Sequence, residues 1–463
     1  MSHDDIARYH AANHYINEGL IRRDADAATP SPLTRRERME RFLPRLGHPE
    51  RAFGAIHIAG TSGKGSTSVM VAEILRAAGL RTGLHVSPYL QVATEKLWVD
   101  GRFASAAQYH DLVFALRPHA EACRGPDVPM HGMASVALFL DYFRREKIDI
   151  AVIEVGVGGR NDIRNILDTR VAAITNVGPD HLKTLGPNLA DIAAHKAGII
   201  KAGCRALVHA LGDTSHDGRD FALQAARAQA DAVSAPLRII RPGRDYRLLP
   251  PTSDGRTRLA YRGSQLRLDD LELATGGAFQ AQNAAVAIAI CEEAYPDGPV
   301  NEDAVRRGLA KARLAARLER LAPGPKNHCP VLLDGAHNPD KIAALVRALD
   351  GHRRLHLVFG GLASKHPGPA TTALVQRSAS VTFAEPRVYA KAPRDALEFL
   401  SKLGNDHPNA RTEVDVHTAI EVALAEASPR DLVVITGSLY LAGQARSRWY
   451  PDDDVLRQRT SWP

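Results

Sequence analysis

Apolar residues return along this chain in two rhythms, short unbroken runs and longer stretches at helical spacing, and the two alternate. The runs at 55–59 (AIHIA), 81–86 (RTGLHV), 148–154 (IDIAVIE) and 171–177 (VAAITNV) predict strands buried on both faces. Between them, 66–79 (STSVMVAEILRAAG), 106–122 and 134–145 carry apolar positions three and four apart and predict helices. Strand and helix in alternation predict an α/β fold with parallel strands. Residues 205–275 predict a strand, a helix, a strand and a β-rich insertion with turns at Pro250 and Pro251 and at Asp254 and Gly255. Gln282 and Asn283 are expected to open an alanine-rich helix, with Asn283 as its cap. A helix over 302–312 then leads into ARLAARLERL, where the domain boundary is placed. The rest predicts a smaller α/β unit with parallel strands at 331–334 (VLLD), 355–360 (LHLVFG), 380–385 (SVTFAE) and 432–438 (LVVITGS). The expected domains are 1–312, beginning with a helical segment that contains the loop ATPSPL, and 313–463.

Length and composition narrow the function. A chain of 463 residues with 44% hydrophobic content has enough apolar material for two cores. Its 59 basic and 52 acidic residues leave a charge of +7, scattered rather than gathered in a basic tract, and aromatics are only 5%. That balance favours an anionic small substrate at least as well as nucleic acid. Cys123, Cys204, Cys291 and Cys329 are far apart, without metal-ligand spacing, as in a reducing compartment. The polar start MSHDDIARYH resembles no signal peptide, and no run is long enough to span a bilayer. A cytoplasmic monomer with no membrane or nucleic-acid partner is expected.

The sharpest chemical signal is AIHIAGTSGKGST at 55–67. A strand, a glycine turn (Gly60, Thr61, Ser62, Gly63) and a helix starting near Lys64, Gly65, Ser66 and Thr67 make a phosphate cradle. Lys64 would lie on the β- and γ-phosphates of ATP, and Ser66 or Thr67 could offer a hydroxyl to Mg²⁺. The strict P-loop spacing is not met, since Ile58 stands at its first position and Gly65 intervenes before Ser66. A plain strand-to-helix turn is the bland alternative.

Three polar residues follow predicted strands: Ser87, Glu154 and His181. Successive strand ends in a parallel sheet converge on one side, so these three could hold Mg²⁺ against a nucleotide. Taken singly, each has an ordinary reading as a turn serine, an ion-paired glutamate or a loop histidine. After Glu154, the glycines at 156, 158 and 159 allow close approach of a ligand, and Arg160 and Asp162 are candidate acceptor contacts. Lys196 sits among Ile192, Ala193, Ile199 and Ile200. A buried lysine loses its proton readily and could take up CO₂ as a carbamate, a ligand for a second Mg²⁺. In the second unit, DGAHNPD puts Asp334 and His337 at a strand terminus.

Together GTSGKGST, SPYL, EVGVGGR, DHLKTLG, HKAGI, QNAAVA and DGAHNP resemble the folylpolyglutamate synthase and dihydrofolate synthase family, part of the Mur-type amide ligases. The resemblance runs in register from about 30 to 440. It implies a doubly wound, mostly parallel P-loop ATPase domain and a smaller Rossmann-like domain that closes over the nucleotide and supplies the amino-acid site. It makes Lys64 and its loop the ATP-phosphate site, and Ser87, Glu154 and His181 the Mg²⁺ ligands. Lys196 becomes the carbamoylated lysine, and Asn283, Arg317 and Asp334, with His337 beside it, match the ATP contacts. The implied reaction is ATP-dependent joining of glutamate to a folate or dihydropteroate carboxylate through an acyl phosphate.

Departures cluster on the acceptor side. Where the family carries Thr or Ser followed by Phe-Glu, this chain has Met130-His131-Gly132-Met133-Ala134, which puts Met130 and Met133 beside the acceptor. Ser-Pro-His-Leu is Ser87-Pro88-Tyr89-Leu90, and Glu-Arg is Glu95-Lys96. The Arg317 motif lacks its Pro-Gly, and the small domain's lysine motif reads Ser364-Lys365-His366. Two rivals follow: a ligase of the same lineage acting on a non-folate acid, and a nucleotide-binding regulator without catalysis.

Overall fold

The structure, a computed structural model, describes residues 3–20, 33–123, 129, 131–211, 220–252, 256–351, 354–363, 367–388 and 392–462. Met130, the turn at Asp254 and Gly255, the Ser364-Lys365-His366 motif and most of the ATPSPL loop lie outside the described residues. The chain separates into two compact units. One contains residues 1–89 and 93–313, and the other residues 314–463 together with Leu90–Val92.

The first unit is built on β1 (Gly54–Ala59), β2 (Thr82–His85), β3 (Trp98–Val99), β4 (Arg102–Phe103), β5 (Ile150–Glu154), β6 (Thr169–Ile174), β7 (Arg205–His209) and β8 (Leu237–Ile240). Their order across the sheet is β4-β3-β2-β5-β1-β6-β7-β8, and all pairings are parallel except those of the short β3 and β4. The unbroken apolar runs of β1 and β5 are buried on both sides, as central parallel strands require. On one side the phosphate-loop helix Lys64–Ala77 lies against the helix Glu302–Lys311 so closely that a Cβ on Gly308 would come within 2.5 Å of the Ile74 Cα. His85 of β2 packs against Phe139 of the helix His131–Arg145, with ring centroids 4.1 Å apart and the rings tilted by 30°. The predicted insertion is a three-stranded antiparallel sheet of β9 (Tyr246–Leu249), β10 (Arg258–Arg262) and β11 (Arg267–Glu272).

The second unit has β12 (Glu319–Leu321), β13 (Val331–Leu333), β14 (Leu355–Phe359), β15 (Ser380–Phe383), β16 (Ala410–Thr412) and β17 (Leu432–Thr436) in the order β12-β13-β17-β14-β15-β16. Only β12 runs antiparallel to its neighbour. Four of these strands are the ones expected, whereas β12 and β16 had no sequence counterpart. The segment ARLERL, taken there as the connection, contains the edge strand β12. Among the described residues no helix is long and apolar enough to cross a membrane.

Candidate active site

The glycine turn after β1 is shaped by close approach. Gly60, at φ +153°, leaves no room for a side chain, since a Cβ would fall 1.9 Å from Thr175 Oγ1. Gly63, at φ +80°, faces Asn283, whose Oδ1 would be 2.3 Å from an added Cβ. One neighbouring segment splints the loop: Asn176 Oδ1 accepts the backbone N–H of Thr61 (3.0 Å) and of Ser62 (2.8 Å). Thr175 Oγ1 donates to the Ser62 carbonyl at 2.7 Å, and the Thr61 hydroxyl bridges to the Gly178 carbonyl at 3.0 Å. Lys64 folds back so that Nζ donates to the Gly60 carbonyl at 2.9 Å. The first-turn N–H groups of the Lys64–Ala77 helix have no acceptor within the helix and carry its positive dipole end, which suits an anion. Thr67 Oγ1, at the same end, is fully buried without a hydrogen-bond partner.

The strand order makes β2, β5, β1 and β6 immediate neighbours, so the segments following all four open along one edge of the sheet. Glu154 ends β5, buried beside Ile58 of β1, and its Oε2 accepts the backbone N–H of Ser87 at 2.9 Å. Ser87 and Glu154 are thus joined. His181 lies beyond β6 with a left-handed backbone (φ 53°), half-exposed, with Nε2 3.8 Å from Asp180 Oδ1. The segment leading to it is tied to the glycine loop through Gly178. Among the described residues no three His, Cys, Asp or Glu side chains gather closely enough to hold a metal by themselves. Lys196 is buried in the helix Leu189–Ala197, and the turn after β5 presses on that helix. A Cβ on Gly159 would lie 2.9 Å from the Lys196 carbonyl.

In the second unit Asp334 follows β13 and is buried. Its Oδ2 accepts from Leu318 N at 2.9 Å and its Oδ1 from Ala336 N at 2.8 Å. Burial raises its pKa above the usual carboxylate value, and the nearby Arg317 guanidinium only partly offsets this. Arg317 stands between two left-handed non-glycine residues, Ala316 (φ 54°) and Leu318 (φ 49°), and its Nη1 donates to the Ala316 carbonyl at 3.0 Å. His337 hydrogen-bonds through Nδ1 to the Gly335 carbonyl (2.8 Å), and its Nε2 lies 3.2 Å from Lys341 Nζ. Beside it a concavity of about 300 Å³ is lined by Asn338, Leu362, Thr371 and Phe399 among others.

Residues 58–291 match the Mur ligase middle domain and residues 316–439 the Mur ligase glutamate ligase domain. The dihydrofolate synthase/folylpolyglutamate synthase of Bacillus subtilis is 32% identical over 427 residues, covering 89% of this chain and 94% of that protein. The chain belongs to the folylpolyglutamate synthase/dihydrofolate synthase family. It is a Mur-type ligase. The Mycobacterium tuberculosis folylpolyglutamate synthase complexed with ADP superposes with a TM-score of 0.82 at 28% identity, covering 96% of this chain and 98% of that one. A probable bifunctional folylpolyglutamate synthase/dihydropteroate synthase of Haloferax volcanii is 32% identical, and the chain spans only 48% of its length.

Of the acceptor-side residues chosen from sequence, Asp162 and Met133 are buried and Arg160 is exposed. Asp162 is buried, and its Oδ2 accepts Gly156 N (3.0 Å) and Val157 N (3.1 Å) while its Oδ1 accepts Arg164 N (2.9 Å). Burial would raise its pKa, but the Arg164 guanidinium and these amides outweigh it and hold the pKa low. Asp162 therefore organises its own turn rather than presenting a carboxylate outward. Met133 is only 1% exposed and packs into the core. Arg160 is exposed, its Nη2 3.4 Å from the Ala194 carbonyl. Asn283 is not a cap: its helix runs Ala278–Ala294, and Asn283 sits inside it, facing Gly63 and donating to Gln280 Oε1 at 2.9 Å. Two residues that shape the site, Asn176 and Arg164, carry no motif. Asn176 comes two positions after the apolar run of β6, and Arg164 five positions after Gly159, so neither position singles the residue out.

Proposed function

We propose that this protein uses ATP to join L-glutamate to a carboxylate of a folate or dihydropteroate, through an acyl phosphate, as a cytoplasmic monomer. The observation that carries the reading is the splinted glycine loop, with its unshared helix-start amides and Lys64, in a sheet whose neighbouring strand ends join Glu154 to Ser87. The names of the relatives supply the substrates.

The side chains around the loop fit Mg²⁺. The Glu154 carboxylate and the hydroxyls of Ser87 and Ser66 are hard oxygen donors, and the partnerless buried Thr67 hydroxyl adds another. These residues and His181 would hold one ion, and Lys196, if carbamoylated, would help hold a second. Bound there, Mg²⁺ would neutralise charge on the transferring phosphoryl group.

Lys64 and the loop amides orient the triphosphate and stabilise charge as an acceptor carboxylate oxygen bonds to the γ-phosphorus and the bond to ADP breaks. The glutamate nitrogen then attacks the acyl carbon, phosphate departs with the bonding pair, and the nitrogen gives up a proton. Arg317, Asp334 and Asn283 would complete the nucleotide site. His337, at the mouth of its concavity, would orient the amine. Exclusion of water protects the acyl phosphate from hydrolysis.

The turn locked by Asp162 and Arg164, with Met133 turned inward, favours a second reading in which the acceptor is a non-folate acid. Incubation with ATP, glutamate and a panel of dihydropteroate, reduced folates and other aryl acids, read by product mass and ADP release, separates the two. Glutamylation of a pterin-bearing acid is the expected result. Glutamylation of other acids alone would move the assignment to the second reading, and no ADP release with any acid would leave a nucleotide-binding regulator.

A further inference from the structure

The second unit contains a buried ion pair that the chemistry above does not use. Arg446, ending the helix Leu439–Arg446, is fully buried, with Nε 2.9 and 3.0 Å from the two carboxylate oxygens of Glu319. Its Nη1 donates to Gln91 Oε1 at 2.6 Å, its Nη2 donates to the Ser461 carbonyl, and the rings of Tyr450 and Trp462 lie 4.2 and 4.8 Å from the guanidinium. A buried pair recovers its desolvation cost only with good geometry and further hydrogen bonds, and here each of the three guanidinium nitrogens has an acceptor. Gln91 is itself fixed, since its Nε2 donates to the Tyr450 carbonyl (2.7 Å) and to Asp452 Oδ1 (2.9 Å).

The pair is also wired to the turn that carries Arg317. Glu319 Oε2 accepts Ala316 N at 2.8 Å, and Asp334 Oδ2 accepts Leu318 N at 2.9 Å. These are the two left-handed residues flanking Arg317. Non-glycine residues persist in that conformation only when their surroundings over-determine it. Here one carboxylate grips each end of the strained turn, and the first is held in place by Arg446.

We propose that Glu319, Arg446 and Gln91 are positioning residues for Arg317, holding the strained turn that presents its guanidinium to the nucleotide. This rests on the reading of Arg317 as an ATP contact. Gln91→Ala, a half-buried change, is the variant that keeps the fold, and Glu319→Asp and Arg446→Lys are conservative companions. KM for ATP should rise roughly tenfold in Gln91→Ala and more in Glu319→Asp, with KM for glutamate and for the acceptor within about twofold of wild type. Amide exchange at Ala316 and Leu318 should quicken in Gln91→Ala. An unchanged ATP KM with only a lower active fraction, or unchanged exchange at both amides, overturns the proposal. Arg317→Ala is the control. If it leaves the ATP KM unchanged, the underlying reading fails. If it raises the ATP KM while the three positioning variants do not, the positioning inference alone fails.

Discussion

The phosphate loop of the first unit and the Arg317 turn of the second solve opposite problems with the same tools. Both follow or face the ends of parallel strands, and both are held by side-chain oxygens that accept backbone amides: Asn176 Oδ1 takes those of Thr61 and Ser62, whereas Asp334 takes Leu318 N on Oδ2 and, in its own segment, Ala336 N on Oδ1. In the loop the splint is neutral and spends only the amides of Thr61 and Ser62, leaving those at the helix start for a ligand. In the turn the splint is a charge whose pKa burial has raised, and the group left over is a guanidinium. On the proposed function, the first region would receive anionic oxygen with a charge of its own that comes from one lysine and a helix dipole. The second is a rigid mount for one cation, and its carboxylate is an organiser more than a reactant.

Variants that break this contrast should rank accordingly. Lys64→Ala should have the largest effect, slowing single-turnover phosphoryl transfer by ~10³-fold or more, because the charge it supplies acts in the transition state. Unchanged transfer would remove Lys64 from the site. Glu154→Gln should follow with a loss of ~10²-fold and a raised Mg²⁺ requirement, read by titrating Mg²⁺ at saturating ATP. A parallel loss at all Mg²⁺ concentrations would mean that Glu154 serves only to hold the Ser87 amide. Asn176→Ala should raise the ATP KM about tenfold, since the freed amides of Thr61 and Ser62 let the loop relax, with kcat changed less. Asp334→Asn should cost about 1–3 kcal/mol of stability in denaturant melts, because an amide has one oxygen for the two backbone donors of Leu318 and Ala336. A variant as stable as wild type would mean that relief of the buried charge outweighs the lost bond.

The smallest effect on turnover, and the clearest in pH, concerns the floor under the loop. His57 of β1 is fully buried, and burial pushes its pKa down to about 3 from 6.5. The native ring stays neutral while the unfolded chain takes up a proton below 6.5, so stability is lost as pH falls from 6.5 toward 3. His57→Leu should flatten the slope of stability against pH by up to ~1.4 kcal/mol per pH unit in that window, measured by urea melts. His85, pushed down the same way by burial and then by the charge of Arg164, should retain its own slope in that variant.

Much of this was legible in the residues. The switch from a strand period to a helical one around three glycines and a lysine marks the turn between β1 and its helix, and a glutamate ending an apolar run marks the terminus of β5. What stayed hidden depends on partners far along the chain. Asn176 splints a loop more than a hundred positions away, and nothing local distinguishes it from a turn asparagine. Glu319 reads as one charge in the stretch taken for the domain boundary, yet it is buried in the edge strand β12, paired with Arg446. Asn283 looked like a helix start because the break at Gly277, with φ at 100°, comes before the recognisable motif. The acceptor side was least legible, since whether Asp162 points outward was decided by Arg164, two residues on.

The route of Leu90–Val92 has a practical consequence for anyone dividing this enzyme. Those three residues pack with the second unit although the first supplies the chain on either side. A Cβ on Gly443 would fall 2.1 Å from the Leu90 carbonyl, so the segment is inlaid rather than merely adjacent. A polypeptide started at Leu314 would therefore be missing an inner piece of itself and should emerge as an aggregation-prone fragment, recoverable only when a peptide carrying Leu90–Val92 is supplied in trans.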